Sequence, residues 1–227
     1  MLSPLSVNVS QPQQARSHLT RARIVEAAAR SLTKLGYAGA STAVVAQAAG
    51  VSQGALFKHF PTKAQLLGAS VAAILQEMVT RFRADALRRL HRAAPKTLEE
   101  RIGPAVAALW AIFRAPEMPA VFDVYVAART DKALEAELAP LLEAHRGRIL
   151  AEARALFPEQ ADHEEFDTVI DAVVYSMQGV ALGLFAPDSQ TEARHLEFFE
   201  RLARRELEHN ISAGAIPRRT KTKEKKG

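Results

Sequence analysis

The chain of 227 residues contains no cysteine. Disulfide bonds, zinc sites with thiolate ligands and thiol nucleophiles are therefore excluded, and the composition fits a reducing cytoplasm. The first fifteen residues also lack the charged start and the long apolar run of a secretory signal, and they contain Pro4 and Pro12. We therefore expect a cytoplasmic protein in which residues 1–17 form a disordered arm.

Acidic residues are nearly missing from the amino-terminal third of the chain. Residues 1–70 contain seven Lys or Arg and a single acid, Glu26, whereas residues 71–210 contain seventeen bases and twenty-three acids. Because DNA phosphates attract a basic surface, this asymmetry indicates that the amino-terminal part binds nucleic acid. The alternative is that a chain with a pI near 9.7 is basic somewhere by chance. Residues 213–227 are again basic and are expected to form a disordered tail.

No stretch of the sequence shows the alternating pattern of a β-strand, and helical periodicity extends almost throughout. We therefore predict an all-α protein of about nine helices. The first is predicted from His18 to Leu35, with Gly36 as its terminator. Thr62 and Gln65 form a capping box for a long connector helix that extends towards Leu90. Further helix starts are predicted at Thr97, Asp131, Asp162 and Ser189, with a kink at Pro104 and an interruption near Pro140.

The segment Ala49–Lys63 contains a helix end, a tight turn, a short helix and a second helix start within fifteen residues. Gly50 permits the positive φ of the turn, Ser52 is placed to cap the short helix, and Pro61 ends it. This spacing is typical of a helix-turn-helix, whose second helix fits the DNA major groove.

Residues 18 to about 68 resemble the DNA-binding domain of the TetR family of bacterial transcriptional regulators. The resemblance rests on an ungapped series of positions: Gly36, Tyr37, Ser41, Val45, Ala46, Ala49–Ser52, Gly54, Leu56, Phe57, His59, Phe60, Lys63, Leu66 and Leu67. It implies a homodimeric, Ω-shaped all-α protein that binds a palindromic operator. It also implies a DNA-binding domain at residues 18–65, and a domain at residues 66–212 that dimerises and binds an effector.

The candidate DNA-binding residues lie on the helix-turn-helix: Ser41, Thr42, Ser52, Gln53, Gly54, Ala55, Phe57, Lys58, His59 and Lys63. Gln53, Ala55 and Lys58 are placed to face bases or the groove wall. By the resemblance, Ser41, Ser52, His59 and Lys63 occupy positions that contact phosphates, although both serines have the alternative role of simple helix caps. Phe57 stands where the family usually has tyrosine, so a phosphate-binding hydroxyl is absent. Leu56, Phe60 and Leu66 are interpreted as core.

Aromatic and polar residues at helical spacing in the larger domain are candidates for an effector pocket: Trp110, Phe113, Phe122, Tyr125, Arg129, Tyr175 and Gln178. An apolar wall with few polar groups suits a small hydrophobic or amphipathic ligand. In the alternative interpretation the aromatic residues are core, and Arg129 pairs with Asp123 or Asp131.

The segment 168–186 carries one formal charge, Asp171, and places Gly179 and Gly183 at GxxxG spacing. A membrane span is one interpretation, although the polar residues of the segment count against it. The interpretation we prefer is a helix buried against its own subunit and against a second copy. Together with residues 192–211 it would form a four-helix dimer interface.

The motifs of common enzymes are missing from the sequence. His163 is followed by two glutamates, but no second histidine completes HExxH, and neither a nucleophile elbow nor a phosphate-binding loop occurs. We predict no catalytic residue, metal site or cofactor. The predicted function is a ligand-responsive transcriptional repressor that is released from a palindromic operator by a small effector. The alternative is a helical protein-interaction scaffold without sequence-specific DNA binding.

Overall fold

The computed structural model describes residues 10–183 and 189–212. Within these ranges the chain forms nine α-helices, one 3₁₀ turn and no strand, which confirms the predicted all-α class. The helices are α1 Ser10–Gly39, α2 Thr42–Ala48, α3 Gln53–His59, α4 Lys63–Ala93, α5 Leu98–Phe113, α6 Met118–Ala128, α7 Lys132–Leu156, α8 Phe166–Ala181 and α9 Ser189–Ser212.

The described residues divide into two compact units. The first unit extends to Ala84 and includes Ala111–Ile149, so it contains the helix-turn-helix, α6 and most of α7. The second unit consists of Asp85–Trp110 and the chain from Leu150 onwards, and it contains most of α5 together with α8 and α9.

The first helix starts earlier than predicted. It begins at Ser10 rather than His18, so residues 10–17 are helical and not disordered, whereas residues 1–9 lie outside the described part of the chain. Gln and Ala are good helix formers, and proline is tolerated in a first helical turn because the amides there need no partner within the helix. Residues 213–227, predicted to be a disordered tail, also lie outside the described residues.

Gly36 ends the regular part of α1, as predicted. Its φ of 67° and ψ of −178° kink the helix, and one further turn continues to Gly39. A side chain here would meet two obstacles, because the positive φ disfavours any residue with a Cβ and because that Cβ would lie 3.1 Å from Oδ2 of Asp123 on α6. Helices α1 and α6 therefore contact each other closely at this glycine.

The helix-turn-helix has its own hydrophobic core. Leu56, Phe60 and Leu66 are 0%, 2% and 1% exposed, which confirms their interpretation as core residues. They form one cluster with Ile24 of α1 and Val45 of α2. Burial of such side chains contributes about 1.5 to 3 kcal/mol each. Because α3 and the first turn of α4 share this core, the short helix is held against α4 as well as against α2.

The first unit also contains a close approach of α4 and α7. A Cβ built on the buried Gly68 of α4 would lie 3.2 Å from the Cβ of Glu137 and 3.6 Å from Cδ1 of Leu141, both on α7. The absence of a side chain at Gly68 therefore allows α7 to pack directly on α4. Leu134 and Leu138, on the same helix as Leu141, are 0% and 2% exposed and form part of the unit's core.

Two ion pairs connect α5 to other parts of the second unit. Arg101 on α5 donates hydrogen bonds of 2.8 Å to both carboxylate oxygens of Glu159, and this contact lowers the pKa of Glu159 below its ordinary value. Arg204 on α9 pairs with Glu99 on α5. The apolar core between the helices includes Phe166 and Leu207, which are 0% and 1% exposed.

The predicted helix starts agree with the structure to different degrees. Asp131 caps α7, since its Oδ1 accepts hydrogen bonds from the amides of Ala133 (3.0 Å) and Leu134 (3.1 Å). The predicted start at Asp162 is wrong, because α8 begins at Phe166. The predicted interruption near Pro140 is also wrong, because α7 continues through it. A proline inside a helix removes one backbone hydrogen bond, and here the surrounding helix outweighs that loss.

Among the described residues, no single helix combines the length and the hydropathy needed to span a membrane. The predicted segment 168–186 corresponds to α8, which ends at Ala181, and residues 184–188 lie outside the described residues. Helices α5 and α6 taken together have the length and composition of a span, but they are bent by 68° at the break between them.

Candidate nucleic-acid interface

The turn before α3 has the geometry predicted from its glycine. Gly50 has a φ of 63°, in the left-handed region, and a Cβ at this position would meet no atom within 4 Å. The amide of Val51 donates to the carbonyl of Ala46 at 3.0 Å, which closes the turn over the end of α2. The glycine is therefore required by backbone conformation and not by lack of space.

Two serines cap the two helices of the motif. Oγ of Ser41 accepts a hydrogen bond from the amide of Val44 at 3.3 Å, and Oγ of Ser52 accepts one from the amide of Ala55 at 3.1 Å. Each serine thus satisfies an amide that the helix itself leaves without a partner. Both serines therefore act as helix caps, and contact of each with phosphate stays a prediction.

Only one of the two hydrogen bonds of the predicted capping box is formed at the start of α4. Oγ1 of Thr62 accepts a hydrogen bond from the amide of Gln65 at 3.1 Å, as the predicted capping box requires. Oε1 of Gln65 is buried and has no hydrogen-bond partner among the described residues, so the reciprocal bond of the box is not formed. The threonine alone defines the first turn of α4.

The outer face of α3 collects the candidates for base contact. Gln53, Gly54 and Lys58 are exposed, and Phe57 is 42% exposed, whereas Leu56 points into the core. Ala55 and His59 are half-buried at the edges of this face. A Cβ on Gly54 would meet nothing nearer than Oγ of Ser52 at 4.0 Å. The face thus combines two polar side chains with the ring of Phe57, is free of acidic side chains and is open to an approaching surface.

Lys63 is positioned by an aromatic ring. Its ammonium nitrogen lies 4.6 Å from the centroid of the Tyr37 ring at the end of α1. A cation over a ring face is attracted by the quadrupole of the ring, and the ammonium keeps hydrogen bonds to donate elsewhere. Thr42, the last of the candidates, is half-buried in the first turn of α2.

One basic residue near this surface was missed by sequence reasoning. The guanidinium of Arg21, on α1, lies 4.7 Å from the centroid of the Phe60 ring at the end of α3. The contact joins residues 39 positions apart, and no local pattern identifies such a pair. Arg21 adds a cation beside the carboxyl end of α3.

The candidate effector residues lie in both compact units. In the first unit Phe113 and Phe122 are buried, Phe122 packs edge-on against Tyr125 with centroids 6.4 Å apart, and burial raises the pKa of the Tyr125 phenol. Arg129 is exposed, and among the described residues it forms no ion pair with Asp123 or Asp131, so that alternative is not observed.

In the second unit the indole Nε1 of Trp110 donates to Oε1 of Glu192 at 2.6 Å. Tyr175 is 58% exposed and Gln178 is half-buried. The candidate set is thus divided between three residues here and four in the first unit, and its assignment to a ligand stays a prediction.

Comparisons with known proteins identify the family. A family model described as "Bacterial regulatory proteins, tetR family" matches residues 24–70, the region that contains α2 and α3. The uncharacterized HTH-type transcriptional regulator Rv2912c of Mycobacterium tuberculosis is 31% identical over 180 residues, which cover 77% of this chain and 87% of that protein. The chain belongs to the TetR family. It is therefore a DNA-binding transcriptional regulator, and the alternative of a scaffold without DNA binding is set aside.

Solved structures of TetR-like regulators share the fold along most of the chain. A TetR-family regulator from Mesorhizobium loti has a TM-score of 0.63 at 16% identity and covers 87% of this chain and 97% of its own. The multidrug binding protein EbrR complexed with imidazole has a TM-score of 0.56 at 23% identity and covers 82% of this chain and 93% of its own. At these identities the likeness concerns the fold alone.

Proposed function

We propose that this TetR-family regulator is a homodimeric repressor that binds a palindromic operator and is released by a small effector. In this proposal residues 18–65 bind DNA and residues 66–212 bind the effector and dimerise. The protein acts in the cytoplasm on the chromosome and has no catalytic role. The observation that carries the proposal is the open, acid-free face of α3 held rigidly on the shared core with α4.

Base reading is assigned to the exposed face of α3. Gln53 and Lys58 project from this face, and Gln and Lys side chains are suited to hydrogen bonds with base edges in the major groove. Phe57 supplies an apolar ring that suits contact with a thymine methyl group or the sugar backbone. Lys63 and the half-buried His59 flank the face and are assigned to phosphates.

Replacing Lys63 by alanine is expected to weaken operator binding and to lower the slope of log K against log salt by about one per subunit, because one phosphate contact is lost. Fluorescence anisotropy with operator DNA at several salt concentrations measures both quantities. Lys132→Ala is the matched control. It removes the same charge from a lysine that pairs with Glu135 on α7, outside the proposed interface. An unchanged slope for Lys63→Ala, or an equal loss for both variants, would contradict the phosphate contact.

Dimerisation is assigned to the outer faces of α8 and α9. The inner face of α8 is buried through Val173 and Met177, whereas its outer face exposes Thr168, Ala172, Ser176 and Gly179 together with two large side chains. These are Tyr175 and Leu182, which are 58% and 51% exposed, and on α9 Phe198 is 50% exposed. Large apolar side chains that are exposed on an isolated subunit are typical of a surface that a second subunit covers.

Effector control is assigned to movement of α4. The first turn of α4 shares a core with α3, so a shift of α4 carries the DNA-reading helix with it. Two recognition helices of a dimer must lie about 34 to 36 Å apart to enter successive major grooves. An effector that prefers another position of α4 therefore lowers operator affinity by population shift. EbrR, which has a related fold, is described as a multidrug binding protein, and this supports a ligand-binding role for the larger domain.

The proposal is tested in two steps. Selection of bound DNA from a random pool should yield a palindrome with half-sites about one helical turn apart. That operator then allows compounds to be screened for release of DNA, with Trp110 fluorescence as an independent signal of binding. Recovery of non-palindromic DNA, or binding of a compound without change in operator affinity, would contradict the proposed mechanism.

A further inference from the structure

A polar pair interrupts the inner face of α7. Leu134, Leu138 and Leu141 follow one another along this face at helical spacing, and the first two are almost completely buried. His145 and Arg148 continue the same stripe one and two turns later, and both are half-buried. The stripe closes with Glu152, which is 8% exposed. An inward face of this kind is normally apolar, so its two basic side chains need an explanation.

Both side chains contain a buried nitrogen without a hydrogen bond. Nδ1 of His145 and Nε of Arg148 are inaccessible to solvent and have no partner among the described residues. Glu152, the next acid along the stripe, has an interaction, but Nε of Arg148 forms no hydrogen bond with it. Buried polar groups are nearly always hydrogen-bonded, and two such nitrogens on adjacent turns indicate a partner that the described residues do not supply. Because arginine only donates and remains charged, the acceptor that satisfies it best is an anion.

We propose that the effector is an organic acid whose carboxylate accepts hydrogen bonds from Nδ1 of His145 and Nε of Arg148. The rest of the ligand is apolar, because the next residue of the stripe is Leu141, which is half-buried. This inference rests on the proposed effector control and names the class of ligand. It also places the carboxylate one turn along α7 from Leu141, which approaches α4 at Gly68.

The protonation of His145 fits this arrangement. Burial, together with the neighbouring charge of Arg148, lowers the pKa of His145 to about 4. The imidazole is therefore neutral at pH 7, and Nδ1 carries a proton to donate when that tautomer is selected. A bound carboxylate would stabilise the imidazolium and raise this pKa again.

The test is calorimetric titration of the full-length protein at pH 7 with two acids and their uncharged amides: benzoate with benzamide, and hexanoate with hexanamide. At least one acid should bind at least tenfold more tightly than its amide. Arg148→Gln should reduce acid affinity at least tenfold, and Arg148→Lys should restore part of it. Lys132→Gln, which removes a positive charge from an exposed lysine on the same helix, should leave acid affinity unchanged.

A second readout is the NMR titration of the histidines in the presence and absence of the tighter acid. The resonance that disappears in His145→Gln should report a pKa that rises when the acid is bound. His145→Gln also serves as the second affinity variant if Arg148→Gln fails to fold. Equal binding of acid and amide, equal affinity of Arg148→Gln and Lys132→Gln, an unmoved pKa, or no binding of either acid would each overturn the inference.

Failure of this inference is distinguishable from failure of the proposed function. If another class of compound releases operator DNA while the acids do not bind, effector control is retained and the organic acid is wrong. If an acid binds at His145 and Arg148 but leaves operator affinity unchanged, the site is correct and effector control through it is wrong.

Discussion

Gly179→Arg is expected to convert the proposed dimer into folded monomers. Gly179 lies on the outer face of α8, and a Cβ built there meets no atom within 4 Å of the described chain. Arginine also favours a helix more than glycine does, so the isolated subunit has no reason to unfold. In a dimer packed through α8, however, a charged side chain would stand where two helices approach closely.

The loss of the dimer should reduce operator affinity by a factor of about 10² to 10⁴, because two linked half-site contacts become two independent ones. Size-exclusion chromatography with light scattering measures the oligomeric state, and a gel-shift titration measures the affinity. Gly147→Arg is the matched control, since Gly147 is also exposed with no atom within 4 Å of its Cβ, but lies on α7. A dimeric Gly179→Arg protein would exclude α8 from the interface, and a monomeric wild type would contradict the proposed dimer itself.

Leu56→Ala is expected to destabilise the helix-turn-helix by about 2 to 5 kcal/mol, because a fully buried leucine leaves a cavity when it is truncated. Leu56 shares its core with Phe60 and Leu66. Its loss therefore loosens α3 from the first turn of α4 as well as from α2. Operator binding should fall with stability even though no predicted DNA contact has been removed.

Leu19→Ala provides the control for this substitution. Leu19 lies on α1 in the same unit and is 71% exposed, so the same change of side chain should alter stability by less than about 0.5 kcal/mol. Urea denaturation followed by circular dichroism measures both variants, with anisotropy for DNA binding. Equal effects of the two substitutions would mean that α3 is not held by the core described for it.

The parts of the fold that were predictable depend on neighbours in the sequence. Helix caps at Ser41, Ser52 and Asp131 join residues two or three positions apart, so the side chain and its amide partner are visible in one short window. The positive φ of Gly36 and Gly50 is equally local. These features were predicted correctly because contacts and conformations within a few residues decide them.

The features that were missed join residues far apart in the chain. Tyr37 supports Lys63, Arg21 covers Phe60, and Trp110 reaches Glu192, and each contact depends on the packing of whole helices. The early start of α1 was missed because Pro12 was interpreted as a sign of disorder when proline is compatible with a first turn.

The pair on α7 falls between these cases. His145 and Arg148 continue the helical stripe of Leu138 and Leu141, so the sequence does place two basic residues on an inward face. That signal is weak, because a basic residue at such a position usually finds a carboxylate partner. Only the structure shows that Nδ1 of His145 and Nε of Arg148 are buried and have no hydrogen-bond partner among the described residues.

The apolar side chains exposed on the outer face of α8 have a consequence for how the protein responds to ionic strength. Association through Tyr175, Gly179 and Leu182 would rely on shape and apolar contact, which salt does not screen, whereas DNA binding depends on the attraction of phosphates, which salt weakens steeply. A rise in intracellular salt would therefore leave paired subunits in solution, ready to rebind when the salt falls.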